Sequence, residues 1–371
     1  MTEVEDVRLA PPAALPAGFT WVRVAAREEL CADAVALTIE PPADAGPGWE
    51  RFAAGQHLTV AVEDPGGDQL RRTYSLTGAA PSGPLRIGVR ALPAGRVSGH
   101  LVREVRVGDR LAMMPPGGSF TAPIVPERRA TWLLVGAGSG ITPLLSHLHT
   151  VLEHEPGSSI VLLYGNRGVD SVMFRQELAA LKSRYLQRLT ILHFLSQERR
   201  RAGFLDGRIG PDAIARLPQL GINPAGVCEA LTCGPPGLID AASEALIELG
   251  IPAEHVHAER FDTTGAAASR PVPAPDADTI AEARVRLYGI EAVVPVRAGE
   301  TILDACHRAG MDVPYSCTGG VCATCRAHVP DGSAQMHVNY ALAEDEVTAG
   351  HVLTCQAVPD GGPITVDFDS Q

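Results

Sequence analysis

The chain has no apolar run approaching the roughly 20 residues of a membrane-spanning helix, so a helical membrane protein is not expected. Its opening, MTEVEDVRLAPPAALPAGF, carries acids and prolines where a secretory leader has basic and then apolar residues. It reads as a disordered lead-in over residues 1–18. Basic excess is missing too. With 31 Lys and Arg against 43 Asp and Glu, a net charge of −12, neither nucleic acid nor an anionic membrane surface is an expected partner. There is no internal repeat, no G-x-S-x-G elbow and no H-E-x-x-H pair. His147, His149 and His154 share one helix at the wrong spacing for a metal, and read as surface or core residues. Residues 280–371 hold no lysine at all and set twelve Asp and Glu against five Arg. That surplus serves either solubility or an acidic docking face for a basic protein partner.

What the chain does have is eight cysteines, four of them patterned. Cys317, Cys322, Cys325 and Cys355 follow C-x4-C-x2-C and then a fourth Cys after 29 residues. This is the ligand spacing of a plant-type 2Fe–2S cluster, in which each iron takes two thiolates. Gly319 and Gly320 let the backbone approach the sulfides and aim N–H groups at a negative cluster. Zinc sites come as pairs of short knuckles, and only one short pair is present. A disulfide framework is unnecessary in a chain of this size. Cys31, Cys228, Cys233 and Cys306 are scattered free thiols, which with the cluster motif favour a reducing cytoplasm.

Three patterns succeed one another. Residues 19–127 show short alternating runs (Val35-Leu37-Ile39, Leu58-Val60-Val62, Leu85-Ile87-Val89) bounded by turn formers, the signature of an antiparallel β-barrel. Residues 128–262 alternate strands (Thr131–Val135, Ile160–Tyr164, Leu189–Phe194, Ala230–Thr232) with helices (Ile141–Leu152, Met173–Lys182, Leu238–Leu249). That predicts a doubly wound α/β unit with a parallel sheet. Residues 263–279 form a linker with three prolines. Residues 280–371 return to short strands with one helix, Ile302–Arg308.

Each of the first two segments carries chemistry. Gly136-Ala137-Gly138-Ser139-Gly140-Ile141-Thr142-Pro143 follows a strand and opens a helix, so its N–H groups can face a diphosphate. Such turns also serve as plain strand–helix connections, and the spacing departs from G-x-G-x-x-G. The next strand ends in Tyr164-Gly165-Asn166-Arg167 with no acid for a ribose 2′-hydroxyl. Asn166 and Arg167, with Arg175 one helical turn on, suit a 2′-phosphate and favour NADPH over NADH, although Asp170 lies close. Cys233-Gly234-Pro235-Pro236 ends another strand at the ligand edge of the sheet, where Cys233 is either a nicotinamide contact or a small buried hydrophobe. In the barrel, Arg72-Thr73-Tyr74-Ser75 offers a cation for a flavin diphosphate, an aromatic lid for its ring and a small donor near N5. Gly95-Arg96-Val97-Ser98 adds an anion-friendly turn at a helix start.

Arg72-x-Tyr74-Ser75, Gly95-x-x-Ser98, the Gly136–Pro143 turn and Cys233-Gly234-Pro235 occur in the order found in ferredoxin–NADP reductase-like flavoproteins. With its cluster segment, the chain resembles the three-centre oxygenase reductases of that superfamily. Tyr315–Cys325, Val338–Ala357 and Tyr164–Arg167 resemble the reductases of phenylacetyl-CoA epoxidases, while reductases of steroid 9α-hydroxylases share the layout. The resemblance implies a FAD barrel, an NADPH-binding α/β domain and a β-grasp ferredoxin. Electrons would pass from NADPH through FAD and the 2Fe–2S cluster to an oxygenase component, either a phenylacetyl-CoA epoxidase or a Rieske-type or steroid hydroxylase. It further implies that Arg72, Tyr74, Ser75, Val89 and Ser98 hold FAD, and that Gly138, Ser139, Gly140 and Thr142 hold the nucleotide. Phe261, closing Glu259-Arg260-Phe261, is implied to lie near the flavin, with Tyr74, Ser75 and Cys233 at the reacting centre. Thr318 departs from the Lys common at its position. A non-catalytic scaffold that keeps a cluster for sensing is the reading from another class.

Overall fold

The computed structural model describes residues 9–46, 48–198, 203, 205–261 and 277–370. Six antiparallel strands form the first unit: β1 (Thr20–Cys31), β2 (Ala34–Glu40), β3 (His57–Glu63), β4 (Gln69–Ser75), β5 (Arg86–Arg90) and β6 (Arg110–Met113). Their order is β4-β3-β6-β1-β2-β5, and a bridge between Leu76 and Ile87 closes the sheet into a barrel. Alternation explains the closure. Val35, Leu37 and Ile39 point inward to meet Leu58, Val60, Val62, Ile87 and Val89 in one core. The opposite face of β2 is buried as well, because Ala34 and Ala36 join the core of the next unit. Helix α1 (Arg96–Arg103) buries Val97, Leu101 and Val102 against the barrel.

The lead-in is shorter than the sequence predicts. Residues 1–8 lie outside the described residues, but Leu9 is buried in the barrel core and Ala10 bridges to Glu63. A single apolar side chain and a backbone pair order the segment, despite its prolines.

The second unit is a parallel sheet of β7 (Thr131–Ala137), β8 (Ser159–Asn166), β9 (Leu189–Leu195), β10 (Leu205–Asp206), β11 (Val227–Gly234) and β12 (Val256–Arg260), in the order β10-β9-β8-β7-β11-β12. Helices α2 (Ile141–His154) and α3 (Arg175–Arg184) cover one face, and α4 (Pro211–Ala215) and α5 (Pro236–Glu248) the other. Trp132 and Leu134 therefore pack with Leu144, Leu148 and Leu178, while Leu133 and Val135 pack with Ile214, Ala242 and Leu246. Helix α3 starts two residues later than expected because Phe174, at φ 57°, is its N-cap. Helix α5 starts two residues earlier, since Pro236 is tolerated in a first turn.

Barrel and α/β unit share a polar seam. Arg86 donates to both carboxylate oxygens of Glu177 at 2.7 Å, and His149 Nε2 meets the same carboxylate at 2.7 Å. His147 Nε2 lies 3.0 Å from the Phe120 carbonyl, and burial pushes its imidazole down to about 4. Both are structural histidines.

The third unit is a mixed sheet in which β13 (Thr279–Leu287) lies parallel to β19 (Ile364–Asp367). Flanking them are β14 (Ile290–Arg297), β15 (Arg326–Asp331) and β17 (His351–Leu353), with β16 (Ala334–Met336) and β18 (Ala357–Pro359) as a separate pair. Helix α6 (Ile302–Arg308) is capped by Thr301, which accepts from the Asp304 N–H, and buries Ile302, Leu303, Ala305 and Cys306 on the sheet. This is the expected β-grasp. A short helix, α7 (Glu344–Thr348), precedes β17. Of the expected linker, residues 263–276 lie outside the described residues, and Thr279 already belongs to β13.

Candidate functional site

The cysteine loop runs from α6 to β15, and Cys355 follows β17. The structure sets the patterned cysteines as two neighbouring thiol pairs, Cys317 with Cys322 and Cys325 with Cys355; no three of them close around a single-ion site among the described residues, and none forms a disulfide. Two pairs of soft donors match two irons with two thiolates each. The Cys322 thiol, then the N–H groups of Gly319, Val321 and Cys322, pull the Cys317 thiol down to about 6, so a thiolate is favoured before any metal arrives. Cys325 and the Gly320 N–H lower Cys355 in the same way. Gln356, which sequence reasoning missed, donates from Nε2 to the Thr318 carbonyl at 2.8 Å and lies 3.7 Å from Cys355 Sγ. Gly320 sits at φ 74°, and a Cβ there would come within 3.0 Å of the Val338 carbonyl. The residues present therefore fit a 2Fe–2S cluster.

A second site lies where the parallel sheet meets the barrel. The sheet order reverses between β7 and β11, the position at which open α/β sheets bind ligands. The turn Gly138–Gly140 opens α2 there, with Gly138 at φ 58° and the Tyr164 hydroxyl donating to its carbonyl at 3.0 Å. Thr142 Oγ1 donates to the Ser139 carbonyl at 2.9 Å and closes the turn. Asn166 is 8% exposed and its amide lies beside the Tyr164 phenol, with no hydrogen bond of good geometry to its nitrogen or oxygen among the described residues. A buried amide so weakly satisfied at this edge fits a polar ligand such as a nucleotide. Arg167 is 65% exposed and stands 3.8 Å from Asp33 of the barrel. Arg175 and Asp170 are both exposed.

Arg90 was not singled out by the sequence. It pairs with Asp33 at 3.3 Å, donates to the Ser171 carbonyl at 2.5 Å, and comes within 3.3 Å of where a Gly138 side chain would begin. A guanidinium thus overhangs the glycine turn from the barrel side. Its signal was its place directly after Val89, in the strand that precedes Gly95-x-x-Ser98.

A third group of candidate residues comes from three strands. Cys233 on β11 pairs with Glu259 on β12, and Glu259 is hydrogen-bonded to Ser75 at the end of β4. Burial pushes the Glu259 carboxyl up to about 8, tempered by Ser75, and its Oε2 has no partner among the described residues. Burial raises the Cys233 thiol strongly, with Glu259 adding to it, so Cys233 is a neutral thiol. Burial likewise raises the Tyr74 phenol, against the opposing charge of Arg72. Arg72 is exposed and donates from Nη1 to the Arg71 carbonyl at 2.7 Å, which leaves the rest of its fork to a phosphate. Val89 is buried in β5. The Ser98 hydroxyl accepts from Leu92 N–H at 3.2 Å and donates to the Gly95 carbonyl at 3.3 Å, bracing the turn that opens α1. Gly234 ends β11, and Phe261, 43% exposed, follows β12. An exposed cation, an aromatic face and an orphaned neutral carboxyl behind a hydroxyl fit a flavin.

Comparisons with known proteins match a family domain to each of the three units. The oxidoreductase FAD-binding domain model matches residues 22–122, the oxidoreductase NAD-binding domain model residues 134–244, and the 2Fe-2S iron-sulfur cluster binding domain model residues 285–360. The chain is 40% identical over 354 residues to a subunit of the 1,2-phenylacetyl-CoA epoxidase of Escherichia coli K12, covering 95% of this chain and 98% of that one. It is 32% identical over 327 residues to the ferredoxin reductase component of 3-ketosteroid-9-alpha-monooxygenase from Rhodococcus rhodochrous, covering 85% and 88%. Phthalate dioxygenase reductase shares the fold, with a TM-score of 0.55 at 24% identity, over 95% of this chain and 98% of that one.

Two outcomes are expected of these sites. Cys322→Ser should lose most bound iron and the cluster absorbance while keeping flavin and flavin-level ferricyanide reduction; full iron content would sink the ligand assignment. Glu259→Gln tests the buried carboxyl. Below about pH 4.5 Glu259 is protonated in folded and unfolded chains alike, and between there and about pH 8 only the folded chain keeps the proton. Wild type should therefore lose thermal stability relative to Glu259→Gln as pH rises through that window, with the difference levelling above it. Parallel melting curves from pH 5 to 9, a range set by that window, would show that Glu259 is not held neutral.

Proposed function

The chain belongs to the reductases of multicomponent oxygenases, electron-transfer oxidoreductases with FAD-binding, NAD-binding and 2Fe–2S domains. From that premise we propose that it draws on NADPH and serves the oxygenase component of a phenylacetyl-CoA epoxidase. The observation that carries this is the end-to-end 40% identity to the Escherichia coli epoxidase protein, which spans all three sites. When bound, FAD would supply a hydride acceptor and the 2Fe–2S cluster a one-electron carrier. The chain's own residues position and tune. Arg72 and the turn bearing Ser98 hold the FAD phosphates, and Tyr74 covers the ring. Ser75 offers a hydroxyl at the ring edge, backed by a Glu259 proton that burial retains. Gly138 to Thr142 and Arg90 hold the nucleotide diphosphate, while Cys233, kept neutral, presents no charge to the nicotinamide. Cys317, Cys322, Cys325 and Cys355 hold the cluster.

Asn166 and Arg167 support NADPH, with Asp33 opposing part of the Arg167 charge. On the cluster domain, Glu346 is engaged with Arg326 at 3.2 Å and caps Ala343, so Glu344 and Asp345 are the acids of α7 left to meet a basic partner. No helix among the described residues is long and apolar enough to cross a membrane. The eight free thiols support the cytoplasm as the compartment we infer. The steroid hydroxylase reading is favoured by the 32% identity to the Rhodococcus reductase component.

Reconstitution decides between the oxygenases. Purified epoxidase component with this protein and NADPH should consume phenylacetyl-CoA, at a rate that falls steeply with added salt. Turnover only with a steroid hydroxylase component would reverse the assignment. For the nucleotide, Arg167→Ala removes one charge-assisted phosphate contact, worth about 1.5–3 kcal/mol, and should weaken NADPH roughly 10- to 150-fold with little change for NADH. Equal losses for both nucleotides would make Arg167 structural.

A further inference from the structure

We propose that Arg71 is the positioning residue that pins the cluster domain, loop inward, on the barrel and thereby sets how fast electrons pass from flavin to cluster. This rests on the family assignment and is independent of which oxygenase is served. Arg71 lies in β4 beside Arg72, yet its side chain is 2% exposed and turns away from its neighbour. Its guanidinium sits between two aromatic rings, 5.0 Å from the centroid of Phe19 and 4.2 Å from that of Tyr315. Nε donates to Gln69 at 2.8 Å and Nη2 to Asp312 at 2.6 Å. Phe19 and Gln69 belong to the barrel side, Tyr315 and Asp312 to the cluster domain. The second Asp312 oxygen accepts from the Ala17 N–H at 2.8 Å, so one carboxylate clasps both the strand and the segment leading into β1.

The physical consequence is directional. A guanidinium stripped of water needs its carboxylate, and removing one partner of such a pair is costly. Here the one carboxylate comes from the other domain, so the guanidinium keeps its ion pair only while the two are in register; Nη1 has no hydrogen-bond partner among the described residues even then. The planar fork bonds at its edge while lying over two aromatic rings, which a lysine ammonium does not reproduce. On the cluster-domain side the anchors flank the cysteine loop. Tyr315 precedes Cys317 by two residues, the Ala341 carbonyl accepts from Ser119 Oγ at 2.5 Å, and Tyr340 lies under Arg260 at 5.0 Å while its N–H donates to the Gly320 carbonyl at 3.0 Å. On the barrel side, Arg71 and Ser75 share a face of β4, four residues or about 13 Å apart along the strand. One strand therefore carries both the hydroxyl of the reacting centre and the pin of the cluster domain.

The test uses the full-length holoprotein and two variants, Arg71→Met and Asp312→Asn. After rapid mixing with NADPH, flavin bleaching should stay within about twofold of wild type. Cluster bleaching should slow by about tenfold or more, and the radius of gyration from small-angle scattering should rise. Asp312→Glu should recover most of the cluster rate and Arg71→Lys only part. Because the Asp312 side chain is 41% exposed, its variant is the one expected to fold if Arg71→Met does not. Unchanged cluster bleaching with an unchanged radius in Asp312→Asn would overturn the proposal. Equal slowing of flavin and cluster would also overturn it, as the mark of a merely structural role.

Discussion

The Cys233 carbonyl lies 2.1 Å from where a side chain on Gly140 would begin, and much of the molecule follows from that approach. Only a glycine allows the turn before α2 to press onto β11, and that pressure closes the crevice where the sheet order reverses. With β11 fixed, β12 follows in parallel register and sets Glu259 beside Cys233. Ser75 then arrives from the barrel to meet Glu259. Burial and this contact pull in opposite directions: burial favours the neutral carboxyl, while a Ser75 hydroxyl that donates favours the carboxylate, and burial is the larger effect.

The two seams between units differ in kind. Barrel and α/β unit are joined by apolar packing as well as charge: Ala34 and Ala36 enter the neighbouring core, and a Gly88 side chain would collide with Thr142 and Phe174. The described contacts of the cluster domain with those units are polar and aromatic instead: Arg71 with Asp312 and Tyr315, Ser119 with Ala341, and Arg260 with Tyr340. An apolar seam tolerates little separation without exposing its core, whereas polar anchors can exchange their partners for water.

Motifs that act through short local spacing were legible in the sequence. The cysteine loop, the strand–turn–helix at Gly138, Arg72-Thr73-Tyr74-Ser75 and the capped helix at Ile302 each write their geometry into neighbouring residues. What was not legible depends on partners far away in the chain. Arg71 drew no notice beside Arg72, because its partners Asp312 and Tyr315 lie some 240 residues away and such pairing leaves no local pattern. Glu259 likewise passed as part of a closing segment, because neutrality comes from burial and not from sequence. Glu346 counts in the sequence simply as one acid of the surplus over residues 280–371, but its bond to the Ala343 N–H and its Arg326 partner set it apart.

The cysteine loop holds two residues, Thr318 at φ 54° and Ala323 at φ 53°, in the left-handed region that non-glycine residues avoid at a cost of roughly 1–2 kcal/mol each. A β-branched residue such as Thr318 is an uncommon occupant of that region. A loop of this shape gains from whatever joins its four thiols, since metal binding contributes directly to folding free energy where the ligands must be gathered. That dependence is confined to one domain: the barrel and the parallel sheet bury their own cores without a metal, whereas the cysteine loop is the segment whose backbone cost inorganic sulfide and iron would offset.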